Sequence, residues 1–374
     1  MTPPAARAPE PGKAPRGALR RLVLAGDAAR RGSAHGEAHA EEIRRYAEER
    51  VQLASNGVWA GRPATRDDVL GLASAMLPAH RAYSPALCAE MEAMARAAGL
   101  SAAEAVIAGG FTDFVDAVRA RADAAPEEDD CTAVLVPTAR AVGSEPLFAQ
   151  TWDMHDSATE YVVLLDVRPQ DGPRALVFST LGCLGQIGMN EAGICIGINN
   201  LAAAVGRIGV TWPLVVRRAL EATCIEDALA AVVDADLAGA HNYLLLDAVG
   251  RGFNVEAMPA HKQVRALTDE PLFHTNHCLE PEARAHEAAR PPQILASSVE
   301  RLRRARELLA DGPIGVERLV AMTRDPEAIC QRSRPPFHIE SSGAVLLRPA
   351  RGELQAVWGL PSENEYEAHR FDAR

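Results

Sequence analysis

The chain has 374 residues, 48% apolar and 24% charged, the composition of an ordinary globular protein long enough for one large domain or two average ones. A net charge of −11 provides no basic face for phosphate binding, so nucleic acid is not an expected partner. Seven cysteines without a CxxC pair point to a reducing, cytoplasmic setting, and no apolar run reaches the ~20 residues of a membrane helix.

The first residues, "MTPPAARAPEPGKAPRGALRR", are rich in Pro, Ala and Arg and lack the apolar core of a secretory signal, so residues 1–20 are expected to be a disordered tail. Helices follow. "EAHAEEIRRYAEERVQLA" (37–54) carries a thin apolar stripe among strong helix formers, and "RDDVLGLASAMLPAH" (66–80) is apolar at helical spacing with two acids near its start. "SPALCAEMEAMARAAG" (84–99) opens on Ser-Pro and closes on Gly, and Ser101 three residues before Glu104 predicts a capping box. The segment 21–130 therefore reads as almost wholly helical.

Beyond residue 130 the period changes. "CTAVLVPT", "PLFAQTWD", "EYVVLLDVRP", "RALVFST" and "GICIGINN" are short Val/Ile/Leu/Phe runs separated by Gly, Pro and Asp, more continuous than alternating, as in strands covered on both faces. Helices are predicted at 212–222, 224–236 and 297–311, strands at 241–259 and 271–278, and a closing hairpin at 343–359. Strands grouped around helical layers predict antiparallel sheets packed together with helices outside.

Cys131 lies where the two periodicities meet, directly after the acidic run Glu127–Asp130. The ordinary reading is a buried half-strand cysteine. If the preceding bond were cut, however, Cys131 would carry a thiol and an α-amine of pKa near ~8, nucleophile and base in one residue. "FAQTWDMH" (148–155) ends a strand that should pair with the one beginning at Cys131, bringing Asp153 and His155 to the same sheet end. An acid after Trp at a strand end is otherwise a turn former.

In "FHTNHC" (273–278), His274 and His277 would project from opposite strand faces, and the paired spacing of a structural zinc site is missing, so no metal or cofactor is expected. Asn276 between them is a ready oxyanion donor. "GMNEAGICIGINN" (188–200) reads as a hairpin whose Asn-Glu-Ala-Gly forms the turn. Phosphate-loop, HExxH and serine-elbow patterns are absent.

In this order the motifs resemble the autoproteolytic acyltransferases and hydrolases typified by isopenicillin-N (acyl-coenzyme A:6-aminopenicillanic acid) acyltransferase, within the N-terminal-nucleophile (Ntn) hydrolases. "DCT", "AQTWD", "NEAGICIGINN", "FHTNH" and "GAVLLRPARGELQAVWGLPSENEY" carry the resemblance, which covers the chain after residue 130. It implies an α+β fold: a four-layer αββα sandwich over 131–374, with 21–130 as a helical propeptide that stays associated after self-cleavage between Asp130 and Cys131. It implies Cys131 as nucleophile, Asn276 in the oxyanion hole and Asp153 as an orienting or substrate-contacting carboxylate. Gln150, His155 and His277 become possible substrate-binding residues.

The chain departs from the pattern in having Asp130, not a small residue, before the nucleophile, and in a longer turn, "TARAVGSEP", between Cys131 and Asp153. The expected substrate is a small-molecule amide or acyl thioester. Two alternatives stay open: an uncleaved cysteine hydrolase with a histidine base, and a non-enzymatic relative that binds a ligand.

Overall fold

The computed structural model describes residues 16–57, 63–119, 131–335 and 338–371. Residues 16–20, expected within a disordered tail, are held in place: the Arg16 amide donates to Asn364 Oδ1 at 2.7 Å and Leu19 is buried. Residues 1–15 lie outside the described set.

The helical expectation for the next segment needs one correction. It opens on a strand, β1 (Arg21–Gly26), before six helices: α1 (Ala28–Ala38), α2 (Ala40–Asn56), α3 (Arg66–Tyr83), α4 (Pro85–Ala98), α5 (Ala102–Gly109) and α6 (Phe111–Arg119). The start and stop signals act as the sequence predicts. Ser84 caps α4 by accepting from the Leu87 amide, Gly99 ends it in the left-handed region (φ 76°), and Ser101 and Glu104 form the reciprocal capping box of α5.

Next come strands β2 (Ala133–Val136), β3 (Leu147–His155), β4 (Val162–Pro169), β5 (Ala175–Thr180), β6 (Ile187–Asn190) and β7 (Cys195–Asn200). Helices α7 (Trp212–Ala219) and α8 (Ile225–Val233) precede β8 (His241–Leu246), β9 (Gly252–Ala257), β10 (Lys262–Ala266) and β11 (Leu272–His274). The chain closes with α9 (Pro281–Arg284), α10 (Pro292–Leu308), α11 (Val316–Thr323), β12 (Ile339–Arg348), β13 (Glu353–Trp358) and β14 (Glu367–Arg370).

These strands make two sheets, ordered β1-β4-β5-β6-β7-β8-β9-β10 and β11-β2-β3-β12-β13-β14. The expected final hairpin is part of a longer antiparallel run, because β12 pairs with β3 on one side and β13 on the other. β1 is unforeseen and pairs in parallel with β4, from Arg21 opposite Leu164 to Gly26 opposite Pro169, so the N-terminal segment supplies an edge strand to the first sheet.

Side-chain alternation sorts three cores and thereby four layers. Val163 and Leu165 of β4 pack with Met76, Met94 and Val216 of the helices, whereas Val162 and Leu164 face Phe148 and Val345 of the second sheet. On that sheet's far side Ala149 and Leu346 meet Ala305 and Leu319 of α10 and α11. The order helix–sheet–sheet–helix is the αββα sandwich that the resemblance implies, with β1 and helices of residues 21–130 contributing to its first two layers.

The N-terminal segment is fastened to the sandwich by buried polar groups. Glu90 of α4 sits between Arg31 of α1 and Arg217 of α7, at 2.5 and 3.0 Å. Burial works to raise the Glu90 carboxyl, and Arg217 and Arg31 outweigh it and hold it below the ordinary value. In α6, Asp113 accepts from the Trp212 amide and Asp116 from the Ala203 and Ala240 amides. Among the described residues no helix is long and apolar enough to cross a membrane.

Candidate functional site

The ladder between β2 and β3 continues one step past β2. The Thr151 amide donates to Thr132 O at 2.9 Å, and the Thr132 amide to Thr151 Oγ1 at 3.1 Å. Ala133 and Leu135 face the inter-sheet core, so the pleat turns Cys131 to the same side, where it is buried with Sγ 3.9 Å from Asp153 O. Asp130 lies outside the described residues. Asp153 is fully buried, and the Thr151 hydroxyl reaches its Oδ2 at 3.5 Å.

Arg301 of α10 ties this sheet end together. Its Nη1 donates to Cys131 O at 2.5 Å and Thr132 Oγ1 at 3.2 Å, and its Nη2 to Asn276 Oδ1 at 3.1 Å. These contacts fix the Asn276 amide, because a guanidinium only donates and must face Oδ1. On the other side Nδ2 donates to Asn200 O at 3.1 Å, leaving the second Nδ2–H without a hydrogen-bond partner among the described residues. Asn199, beside Asn200, likewise has a buried Nδ2 with no partner among them.

Ser298, one turn before Arg301 on the same helix, sets the backbone around this amide. Its Oγ accepts from the Asn276 amide at 2.9 Å and lies 2.8 Å from His277 Nδ1, while Thr275 Oγ1 donates to Ser298 O at 3.0 Å. Burial, reinforced by His274, Arg290, Arg301 and Arg284, lowers the His277 pKa to about 4. His277 is therefore neutral at pH 7. The two histidines of "FHTNH" do diverge: His274 turns the other way, to Glu256 of β9 at 3.0 Å.

The remaining predicted residues are held elsewhere. Gln150 is fully buried between the sheets, its amide accepting from Ile198 N at 3.1 Å and donating to Ile198 O. Gly197 allows this approach, since a Cβ there would lie 2.2 Å from Gln150 Oε1. His155 meets Arg50 of α2, with Nδ1 2.8 Å from the guanidinium. Burial first and Arg50 second push its pKa well below the ordinary value. The structure thus groups Cys131, Asn276 and His277 around α10, sets the Asp153 backbone carbonyl beside the thiol, and uses Gln150 and His155 to join layers.

Sequence reasoning missed Arg301 and Ser298. The signal was available: the buried stripe of α10 is Ile294, Ser298, Arg301, Leu302 and Ala305, with a cation and a hydroxyl where a core helix would repeat apolar residues. "NEAG" takes the turn role assigned to it, with Asn190 Oδ1 accepting from the Ala192 and Ile194 amides and Nδ2 donating to Leu220 O and Ala222 O.

A family model described as acyl-coenzyme A:6-aminopenicillanic acid acyl-transferase matches residues 141–342, more than half of the chain. The chain belongs to this family. The matched region holds Asp153, Asn276 and Arg301, while Cys131 lies ten residues before it. Within the acyl-transferase family, the 40 kDa form of acyl-coenzyme A:6-aminopenicillanic-acid-acyltransferase from Emericella nidulans is 28% identical over 154 residues, which span 40% of this chain and 42% of that relative. Similar solved structures include a Caenorhabditis elegans ortholog of N-acylethanolamine-hydrolyzing acid amidase (11% identity, TM-score 0.42, 59% of this chain and 93% of that one). A conjugated bile acid hydrolase variant from Clostridium perfringens is another (10%, 0.44, 65% and 97%).

Proposed function

We propose that this chain is an N-terminal-cysteine amidohydrolase or acyltransferase, matured by cutting the Asp130–Cys131 bond, that acts on small-molecule amides or acyl thioesters. In maturation the Cys131 thiol attacks the Asp130 carbonyl, the acyl group shifts from nitrogen to sulfur and so frees the Cys131 amine, and water then hydrolyses the thioester to release the Asp130 carboxylate and restore the thiol. In turnover that amine takes the thiol proton as sulfur bonds the substrate carbonyl carbon. The tetrahedral oxyanion accepts the free Nδ2–H of Asn276, a donor worth roughly 3–4 kcal/mol in comparable sites. The leaving group departs with a proton, and water or an acceptor amine then takes the acyl group from sulfur.

The observation that carries this reading is the Arg301 guanidinium joined to both Cys131 O and Asn276 Oδ1. One rigid fork holds the nucleophile's backbone and the oxyanion amide in a fixed relation, the preorganisation acyl transfer needs. Membership of the acyl-transferase family supports the same chemistry. A histidine-base mechanism is less well supported, because the His277 pKa, lowered to about 4, makes it a weak base whose Nδ1 lies beside Ser298 Oγ, and His155 faces Arg50.

Intact mass of the purified protein tests the proposal. The wild type should separate into fragments ending at Asp130 and starting at Cys131, and Cys131→Ala should remain one chain and hydrolyse no amide or thioester of a small-molecule panel. An active, unprocessed wild-type chain of 39.9 kDa would sink the maturation step. A Cys131→Ala protein with unchanged activity would sink the thiol chemistry.

A further inference from the structure

The loop between β11 and α9 carries Asn276, and one buried carboxylate holds both of its ends. Glu256 of β9 is fully buried. Its Oε1 lies 3.0 Å from His274 Nε2 and accepts from the Leu279 amide at 2.6 Å, and its Oε2 accepts from the Glu280 amide at 3.1 Å. His274 precedes Asn276 in the chain, and Leu279 and Glu280 follow it. Both carboxylate oxygens serve one short loop.

This placement follows from the strand period. Val255 packs with the helices, so Glu256 turns into the space between the sheets, opposite Asn242 of β8. Across that space His274 pairs in register with Ala133, on the strand that Cys131 leads into. Glu256 therefore reaches from the first sheet to the second and meets it beside the thiol. Burying a charge is unfavourable unless donors meet it, and here three do. Burial works to raise the Glu256 pKa, and the His274 contact and the two amides outweigh it and hold the carboxyl below the ordinary value. Ser298 and Arg301 fix Thr275, Asn276 and His277 from α10, whereas Glu256 fixes the same loop from the opposite sheet.

We propose that Glu256 is a positioning residue for acyl transfer, which sets the Asn276 Nδ2–H on the oxyanion by clamping the loop on both sides of it. The inference rests on the acyl-transfer reading above. Glu256→Gln keeps the shape of the clamp but accepts through one oxygen only, and its NH2 must face a donor.

The full chain is assayed with acetyl, butanoyl, hexanoyl and benzoyl p-nitroanilides and thiophenyl esters, and kinetics are followed on the probe that the wild type turns over fastest. Glu256→Gln should lower kcat about tenfold and leave KM within about twofold, because the clamp acts on the transition state. A double-mutant cycle supplies the readout that a merely structural role would not move. In Asn276→Asp, where the donor is already gone, adding Glu256→Gln should cost less than about twofold. An undiminished loss in that background, or a single variant with wild-type kcat, overturns the proposal. Should Glu256→Gln fail to fold, position 280 decides it. The φ of −83° there suits proline, so Glu280→Pro removes the N–H given to Oε2, and Glu280→Ala keeps it. Glu280→Pro must be about threefold slower than Glu280→Ala when Asn276 is present and equal to it in Asn276→Asp; any other pattern overturns the proposal. A wild type that turns over none of the probes defeats the acyl-transfer reading and this inference with it. Turnover with an additive cycle removes the clamp alone.

Discussion

The helical N-terminal segment and the sandwich it covers each bury an arginine almost completely, Arg50 at 0% and Arg301 at 1% exposure, but in different company. Arg50 stands over the faces of Tyr46 and Phe111 and reaches His155, Glu49 and Ser157, linking α2 to the end of β3. The Nη groups of Arg301 donate to two carbonyl oxygens and a hydroxyl beside the thiol, and its Nε to Ser297 Oγ on the same helix. The first arginine fastens one layer to another, where a hydrophobe of similar length could fill much of the space. The second orients neutral groups whose directions matter for chemistry, so no apolar side chain can replace it. Depth of burial alone does not separate these roles; the partners do.

Arg301→Met should break the comparison most strongly. It leaves three buried acceptors without their donor, at about 1–3 kcal/mol each, so a large drop in melting temperature and loss of acyl transfer are expected together in calorimetry and a turnover assay. Asn276→Asp separates fold from chemistry. The carboxylate still meets Arg301 but can donate neither to the oxyanion nor to Asn200 O, so kcat should fall about 10²–10³-fold, with a stability cost of about 1–3 kcal/mol that stays below that of Arg301→Met. A variant with near-normal kcat would remove Asn276 from the oxyanion site.

Arg50→Met should cost about 1–3 kcal/mol in denaturant unfolding and loosen hydrogen exchange in α2, with kcat within a few-fold of the wild type. A loss of kcat as large as that of Asn276→Asp would erase the distinction between the two arginines. The last test is a pH slope. His35 and His277 are lowered to about 4 in the folded protein, His35 by burial above all, against ~6.5 unfolded. Between these values the unfolded chain binds more protons, so stability is complete above pH ~6.5 and falls towards pH 4, by up to about 1.4 kcal/mol per pH unit for each histidine. His35→Gln, whose amide oxygen can still accept the Gly182 N–H, should remove its share of that slope in urea titrations at pH 4.5 and 6.5.

Much of the architecture was legible because it rests on local signals. Continuous apolar strands imply sheets covered on both faces, and Ser84, Gly99, Ser101 and Glu104 mark helix ends through backbone hydrogen bonds that span only a few residues. β1 was illegible for the opposite reason: "RLVLAG" is short and follows a Pro-rich stretch, and it becomes a strand only because β4 offers an unpaired edge more than a hundred residues later. Gln150 and His155 stood in a motif with Asp153, but the backbone of Ile198 takes both ends of the Gln150 amide, and α2 claims His155.

By itself the sequence determined the residue types at the Cys131, Asp153 and Asn276 positions, the change from helical to strand period near residue 130, and the caps that punctuate the helices. All of these are set by spacing along the chain. Only the tertiary structure decided that Arg301 joins Cys131 to Asn276, that the Asn276 amide keeps one N–H uncommitted, and that Arg290 is buried beside the same loop. Those relations cross from 25 to 170 residues of sequence or depend on which face a helix buries, and packing of the layers, not local propensity, fixes them.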